Sequence, residues 1–105
     1  MTDAVVVLVT VPTAEKAAEI ARAVVEERLA ACGNVVPAIR SIYRWEGKVH
    51  DDAEALLVLK TERKRFVELC DRVVALHPYD VPEVLALPVE AGSDRYLDWL
   101  SLALY

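Results

Sequence analysis

The chain has 105 residues, 55% of them hydrophobic and 28% charged, with a formal net charge of −5 at pH 7, so residues 1–105 suit one domain with one core. The acidic balance and scattered basic residues argue against a nucleic-acid-binding surface, and no apolar run approaches the ~18 residues of a membrane span. Two cysteines are too few for a disulfide framework and the N-terminus has no signal-peptide pattern, so we expect a cytoplasmic protein.

The first predicted elements are a buried strand and an amphipathic helix. Residues 4–11 read AVVVLVTV, a β-branched run typical of a strand that is buried on both faces. Pro12 ends this strand, and Thr13 is the expected N-cap of a helix that extends to about Ala31. We expect residues 32–34, which read CGN, to end the helix with C-cap chemistry.

A long hairpin follows, and the rest of the chain is organised around it. Its arms read NVVPAIRSIYRW and KVHDDAEALLVLK, and Glu46-Gly47 between them is a turn signal, because glycine takes positive φ without steric cost. A type I′ turn and a slightly longer loop both fit this pair. Each arm has about 12 residues and would be roughly 40 Å long at ~3.3 Å per residue, whereas a ~17-residue helix spans about 26 Å. The hairpin is therefore expected to protrude.

The tip of this hairpin is predicted to carry aromatic side chains. Simple alternation along the first arm puts Val35, Ile39, Tyr43 and Trp45 on one face. An unpaired edge with exposed aromatic surface favours aggregation unless another chain covers it. We therefore expect the hairpin to pack on a neighbouring subunit; the alternative is a bulged hairpin that curls back onto its own domain.

The second half of the chain repeats the helix and strand. Thr61 is the expected N-cap of a helix that ends near residue 76. Residues 77–83 read HPYDVPE, and two prolines in this short segment predict an extended, rigid connection. Residues 84–89 read VLALPV and are predicted to form a fourth strand, and residues 92–94 start a short terminal helix.

The order of the elements predicts the fold class. The first six elements follow the βαββαβ pattern of an α+β, ferredoxin-like domain, in which a four-stranded antiparallel sheet carries two helices on one face. The first and fourth strands are apolar on both faces, yet two helices cover one face and the terminal helix is too short for the other. Another chain must cover the rest, so we infer a closed homo-oligomer.

Five segments carry a resemblance to a known family. They read LAAC before NVVP, SIYRWEGK, LKT, HPYDVPE and YLDW, and they are spread over nearly the whole chain. The chain resembles the CutA family of divalent-cation tolerance proteins. The resemblance implies a ferredoxin-like homotrimer, joined through the long hairpin with Tyr43 and Trp45 near the subunit contacts. It also implies a role in tolerance to divalent metals such as copper, with no catalytic activity and no required cofactor.

Direct metal binding is the first functional hypothesis. We take His77 and Cys32 as the candidate ligands, because copper and zinc favour imidazole and thiolate donors. Some copper-associated members of the family carry a cysteine where Val9 precedes Thr10 here, and some carry a second histidine where Leu76 stands. His77 alone remains from that set. The alternative for His77 is an imidazole that contacts the last carbonyls of the preceding helix.

Two other classes of function remain open. One is a trimeric small-molecule sensor of the PII type, with anion partners from Arg28, Lys60 or Arg44 in a cleft between subunits lined by Tyr43, Trp45, Tyr79, Asp80 and Glu83. The alternative for the lining residues is that they are interface and turn residues. The other is a scaffolding trimer whose effect on metal tolerance is indirect. We do not expect an enzyme, because two histidines give no recognisable Cys-His or Ser-His arrangement.

Overall fold

The computed structural model describes residues 2–105 and contains seven main elements. In chain order these are β1 (Ala4–Val11), α1 (Ala14–Glu26), β2 (Cys32–Trp45), β3 (Lys48–Glu62), α2 (Phe66–Leu76), β4 (Leu85–Pro88) and α3 (Asp94–Ala103), with a 3-10 turn over Arg63–Arg65. The four strands form one antiparallel sheet in the order β2-β3-β1-β4. The predicted α+β class with a four-stranded antiparallel sheet is therefore confirmed. No helix among residues 2–105 is long and apolar enough to cross a membrane.

The main core lies between the sheet and helices α1 and α2. Alternate residues of β1 and β3 are buried on this face, and they pack against the apolar stripes of the two helices. The central members are Val5, Val7, Val9, Val11, Leu57, Leu59, Ile20, Val24, Leu69 and Val73. Burial of a valine or leucine side chain contributes about 1.5–3 kcal/mol, so this layer supplies most of the stability of the chain.

The opposite face of the sheet is only partly covered. Helix α3 covers one end of it, where Leu100 and Leu104 pack against Ala4. Farther along the same face, Leu85 is 57% exposed and Leu87 is 50% exposed on the outer strand β4. The short terminal helix therefore leaves apolar surface uncovered, as its length predicts.

The hairpin of β2 and β3 protrudes from the body. Its strands have 14 and 15 residues, and β1 pairs with β3 only as far as Val11 opposite Ala55. The molecule accordingly extends 44 Å along its longest principal axis, compared with 25 and 23 Å along the other two axes. Trp45 pairs directly with Lys48, and Glu46 and Gly47 have φ values of 50° and 78°. Positive φ at both central residues is the type I′ geometry, the tighter of the two expected turns.

Strand β2 contains a bulge near its middle. Val36 lies opposite Leu56, whereas Ile39 lies opposite Glu54, so β2 has one more residue than β3 across this interval. Pro37 falls inside the interval and has no backbone N–H to donate to the ladder, which favours a bulge there.

The bulge moves the outer half of β2 to the other face of the sheet. Val35 is paired with the buried Leu57, so it points toward the helices. Beyond the bulge, residues 39–45 follow the register of Glu54, and Tyr43 and Trp45 therefore point to the opposite face. The prediction that Val35, Ile39, Tyr43 and Trp45 share one face is wrong, because simple alternation omits the extra residue.

The first helix is shorter than predicted. The Thr13 cap is confirmed, since its hydroxyl accepts a hydrogen bond of 3.1 Å from the N–H of Lys16. The helix ends at Glu26 rather than near Ala31, and the chain turns at Arg28 with a φ of 60°. Residues 32–34 begin β2 instead of capping the helix.

The predicted role of Thr61 is also wrong. Thr61 belongs to β3 and is fully buried, and its hydroxyl donates a hydrogen bond of 2.7 Å to the carbonyl oxygen of Leu29. Helix α2 begins later, after the 3-10 turn. The side chain therefore ties β3 to the segment after α1, a contact between residues far apart in the sequence.

Candidate functional site

A cleft of about 690 Å³ opens where the hairpin leaves the body of the protein. One wall comes from the hairpin and the other from the loop that follows α2. The lining includes Tyr43, Trp45, Tyr79, Asp80 and Glu83, the five residues that the sequence predicted for a cleft between subunits. The structure brings all five together within one chain, and a cleft shared with a neighbouring subunit stays a prediction.

The bulge in β2 assembles the hairpin wall. It puts Ser41, Tyr43 and Trp45 on the same face as Glu54, and the end of β1 contributes Thr10 to this wall. Glu54 was not among the predicted cleft residues. Its signal in the sequence is its position directly before the apolar run of β3, which places its carboxylate at the base of the protruding segment.

His77 fixes the loop wall. The residue is 8% exposed, and its Nε2 lies 2.8 Å from the carbonyl oxygen of Thr10. Its Nδ1 accepts a hydrogen bond of 3.1 Å from the backbone N–H of Tyr79. Because an N–H group can only donate, Nδ1 is the acceptor and Nε2 carries the proton that it donates to Thr10. The alternative expected for His77 therefore has the wrong partner: the carbonyl belongs to β1, not to the preceding helix.

Two tyrosine hydroxyls donate to carboxylates at the cleft. Tyr79 donates to Glu54 at 2.7 Å, and Tyr43 donates to Asp52 at 2.5 Å. Partial burial, followed by the hydrogen bond to Glu54, raises the pKa of Tyr79 strongly. The hydrogen bond to Asp52 is the main cause that raises the pKa of Tyr43. Nearby carboxylates add to both shifts, so the region has a negative potential.

The charged residues that line the cleft are all acidic, namely Glu54, Asp80 and Glu83. The basic side chains proposed as anion partners do not line it. Arg28 donates to the backbone carbonyl of Tyr105, Lys60 donates to the Oδ1 of Asn34, and Arg44 lies outside the lining. An anion site with these partners is therefore not formed within a single chain, and the expected site between subunits stays a prediction.

The two candidate metal ligands lie apart in this chain. Cys32 is partly exposed at the start of β2, opposite Lys60, which in turn lies opposite Val6 of β1. His77 contacts Thr10, which is four residues farther along β1. Within residues 2–105, no three side chains of the His, Cys, Asp or Glu type converge as a metal ion requires.

The remaining histidine and cysteine have separate surroundings. His50 stacks on Tyr43 in the hairpin, with ring centroids 5.2 Å apart. Cys70 lies partly buried on α2. Neither is brought next to His77 or Cys32 by the sheet register or by a hydrogen bond within the described chain.

Comparisons with known proteins agree with the resemblance seen in the sequence. A family model described as CutA1 divalent ion tolerance protein matches residues 5–103. The divalent-cation tolerance protein CutA of Thermus thermophilus is 59% identical over 95 residues, which are 90% of this chain and 92% of that protein. The human protein CutA is 53% identical over 92 residues, and the chain spans 51% of its length.

Solved structures show the same architecture. The divalent cation tolerance protein from Thermus thermophilus superimposes with a TM-score of 0.92 at 56% identity, covering 95% of this chain and 97% of that one. The periplasmic divalent cation tolerance protein CutA from Archaeoglobus fulgidus superimposes with a TM-score of 0.94 at 35% identity, covering 97% of this chain and 99% of that one. On the family match and these identities, the chain belongs to the CutA1 divalent ion tolerance protein family.

Proposed function

We propose that this chain acts in tolerance to divalent cations as a non-catalytic, cytoplasmic homotrimer of ferredoxin-like subunits. Family membership supports the role in cation tolerance. The partly uncovered sheet supports the assembly, because a folded monomer rarely leaves a contiguous apolar face in water.

The main support for the proposed trimer is the uncovered apolar face of the sheet. Leu85 and Leu87 are at least half exposed, and they lie on β4, whose outer edge has no partner strand among residues 2–105. The protruding hairpin presents the exposed aromatics Tyr43 and Trp45 on the same face of the sheet as Glu54. Three copies arranged in a ring would let the hairpin of one subunit cover the open face and edge of the next.

We further propose that the trimer binds a divalent metal ion directly. We assign His77 and Cys32 as the candidate ligands for copper or another divalent cation, since imidazole and thiolate are the donors these metals favour. A metal on Nδ1 of His77 would have to displace the N–H of Tyr79, which now occupies it. Because the two ligands lie apart in one chain, further donors would come from a neighbouring subunit. No cofactor is required.

Native mass spectrometry of metal-free protein, titrated with Cu(II) and Zn(II), tests both the trimeric assembly and direct metal binding. We expect a trimer that takes up metal to a fixed stoichiometry, and we expect the uptake to be lost in His77→Ala or Cys32→Ser but kept in the control His50→Ala. A monomer would refute the assembly. A trimer with only scattered, non-saturating adducts would refute direct binding and leave an indirect role in tolerance.

A second candidate function is a PII-like small-molecule sensor, and the cleft beside the hairpin favours it. Its volume of about 690 Å³ falls within the range of small-molecule sites, roughly 300–1,000 Å³. A scaffolding trimer with an indirect metal phenotype would need neither the cleft nor a metal ligand. Saturable binding of any small molecule to the trimer separates the sensor from the scaffold.

A further inference from the structure

We propose that a basic cluster at the end of the sheet away from the hairpin binds a small oxyanion of the phosphate class, and that Tyr105 now covers this site. The cluster consists of Arg28, which follows α1, and of Lys64 and Arg65 in the 3-10 turn after β3. None of these residues belongs to the hairpin or to β4, the two elements that the proposed trimer joins. The inference therefore goes beyond the proposed function and involves neither candidate metal ligand.

The three cations of the cluster converge on one residue. The Nζ atom of Lys64 lies 4.4 Å from the centroid of the Tyr105 ring, and the Cζ atom of Arg65 lies 5.0 Å from the same point. The Nη1 atom of Arg28 donates a hydrogen bond to the backbone carbonyl of Tyr105. Positive charges from two distant parts of the sequence thus border the place that Tyr105 occupies.

Neighbouring carboxylates compensate only part of this charge. Glu62 lies 4.0 Å from the Nζ atom of Lys64. Glu27 precedes Arg28 in the sequence, but it forms its ion pair with Arg72, through two nitrogens of that guanidinium. Within residues 2–105, neither arginine of the cluster forms a salt bridge with an aspartate or glutamate. An anion would therefore find two guanidinium groups that no side-chain carboxylate has neutralised.

The guanidinium of Arg65 also has an unused donor. Its Nη2 donates a hydrogen bond of 2.7 Å to the carbonyl oxygen of Leu104, whereas its buried Nε has no acceptor within residues 2–105. A buried donor without an acceptor destabilises a fold, and a carbonyl group has only one oxygen to offer. An oxyanion has several oxygens, so it would accept from Nε and from the other two cations of the cluster at once. This unpaired donor points to a missing ligand, because cations that only cap the end of α3 would leave no such group.

Tyr105 is suited to act as a movable cover. The residue is 52% exposed and lies beyond the last residue of α3. It contacts the cluster through its ring and one carbonyl oxygen, and cation–π contacts at exposed sites are weaker than charge-assisted hydrogen bonds to an oxyanion. An oxyanion would replace Tyr105 in the cluster, while the fully buried Leu104 would keep α3 in place.

Phosphorus NMR of inorganic phosphate provides the test. The full chain and the variant Tyr105→Ala are each titrated at constant ionic strength, and the change in the phosphate resonance gives the affinity. We expect saturable binding to both proteins, with an affinity about threefold to tenfold higher for Tyr105→Ala. The variant removes the ring contacts that phosphate must displace, and it leaves all three cations in place.

Matched charge variants then locate the site. In the Tyr105→Ala background, Lys64→Gln should weaken phosphate binding by about threefold or more, because it removes one attraction at short range. Lys48→Gln removes the same charge at the opposite end of β3 and should leave the affinity unchanged.

Arg28→Gly is a second variant that should fold normally. Arg28 has a φ of 60°, a conformation that glycine adopts without strain. Its phosphate affinity in the Tyr105→Ala background should decrease as in Lys64→Gln, although the turn after α1 is retained. Circular dichroism checks that each variant is folded.

Three outcomes would overturn the proposal. No saturable binding of phosphate, even to Tyr105→Ala, would show that the cluster only holds the end of α3. Equal losses in Lys64→Gln and Lys48→Gln would show that phosphate responds to the overall charge and has no defined site. Equal affinities of the full chain and Tyr105→Ala would show that Tyr105 does not cover the site. None of these outcomes bears on the trimer or on metal uptake, so the failure of this inference and the failure of the proposed function are distinguishable.

Discussion

The Nε2 atom of His77 lies 2.8 Å from the carbonyl oxygen of Thr10, at the end of strand β1. The other ring nitrogen accepts the backbone N–H of Tyr79. A single buried imidazole thus joins the central sheet to the loop that forms one wall of the cleft. The shape of the cleft depends on this bridge, even though His77 does not line it.

Replacement of this imidazole should be costly. We expect His77→Ala to lower the free energy of unfolding by about 2–4 kcal/mol, because it removes two hydrogen bonds and leaves buried polar groups without partners. His50→Ala is the control and should cost less than about 1 kcal/mol, because His50 is on the exposed hairpin, where its ring stacks on Tyr43 and its side chain forms no hydrogen bond within residues 2–105. Urea unfolding at one protein concentration measures both, and an equal cost would contradict the bridging role.

Tyr79 should make the stability depend on pH in the alkaline range. The fold raises the pKa of Tyr79 through partial burial and the hydrogen bond to Glu54, so the neutral phenol is favoured in the folded state. This contribution is fully present below the unfolded pKa of about 10 and is lost as the pH rises through the higher folded value.

Two variants check this prediction. Tyr79→Phe should flatten the alkaline decrease in the free energy of unfolding and should remove a phenol that titrates late in the tyrosinate absorbance. Glu54→Gln keeps the phenol but removes the neighbouring charge, so it should bring the titration of Tyr79 to lower pH. An unchanged absorbance titration in Glu54→Gln would show that the carboxylate does not act on Tyr79.

Gly33 should tolerate no side chain. A Cβ atom at this position would lie 2.9 Å from the Cβ of Ala21 and 3.2 Å from the Cδ2 of Leu59. Gly33→Ala would therefore push α1 away from the sheet, and we expect it to cost about 1–3 kcal/mol, the usual range for overpacking. Gly92→Ala is the matched control, since its nearest neighbours are at 3.4 Å or more, in the side chain of Leu97. Thermal unfolding that fails to separate the two variants would argue against a tight contact between α1 and β2.

A charged side chain on the open face of β4 should weaken the assembly of subunits. We expect Leu87→Glu to shift the protein toward monomer in sedimentation velocity, because burial of an unpaired carboxylate costs several kcal/mol. Leu102→Glu is the control: Leu102 lies on α3 and is 74% exposed. If Leu87→Glu sediments like the control, the face of β4 is not a subunit contact.

Elements governed by local chemistry were predicted well. The Thr13 cap, the Glu46-Gly47 turn and the protruding arms depend on neighbouring residues and on strand length, both of which the sequence displays. The end of α1 was misplaced because a distant contact determines it. The N–H of Ala31 donates to the carbonyl of Lys60, which draws the chain into the sheet soon after the turn at Arg28.

The residues of the cleft also divide into those that the local sequence predicts and those whose place depends on distant contacts. Tyr43, Trp45 and Tyr79 could be named in advance, because they stand in short, distinctive segments with exposed aromatic character. The position of Glu54 directly before the apolar run of β3 predicts that it lies at the base of the hairpin, but it does not predict that Glu54 shares a face with the aromatics. The expected basic partners do not line the cleft within one chain, and no local pattern predicts that Lys60 faces Asn34.

The extra residue in β2 between Val36 and Ile39 also bears on how such chains can change in evolution. Surface hairpins usually accept insertions and deletions near their tips, where a shift in length is harmless. Here the loss of one residue at Pro37 or Ala38 would leave a single residue of β2 opposite Ala55, so the ladder would become regular and Tyr43 and Trp45 would still share a face with Glu54. Because a bulge bends its strand and increases the local twist, such a deletion in a descendant of this chain would change the direction of the protruding arms rather than the face that carries the aromatics.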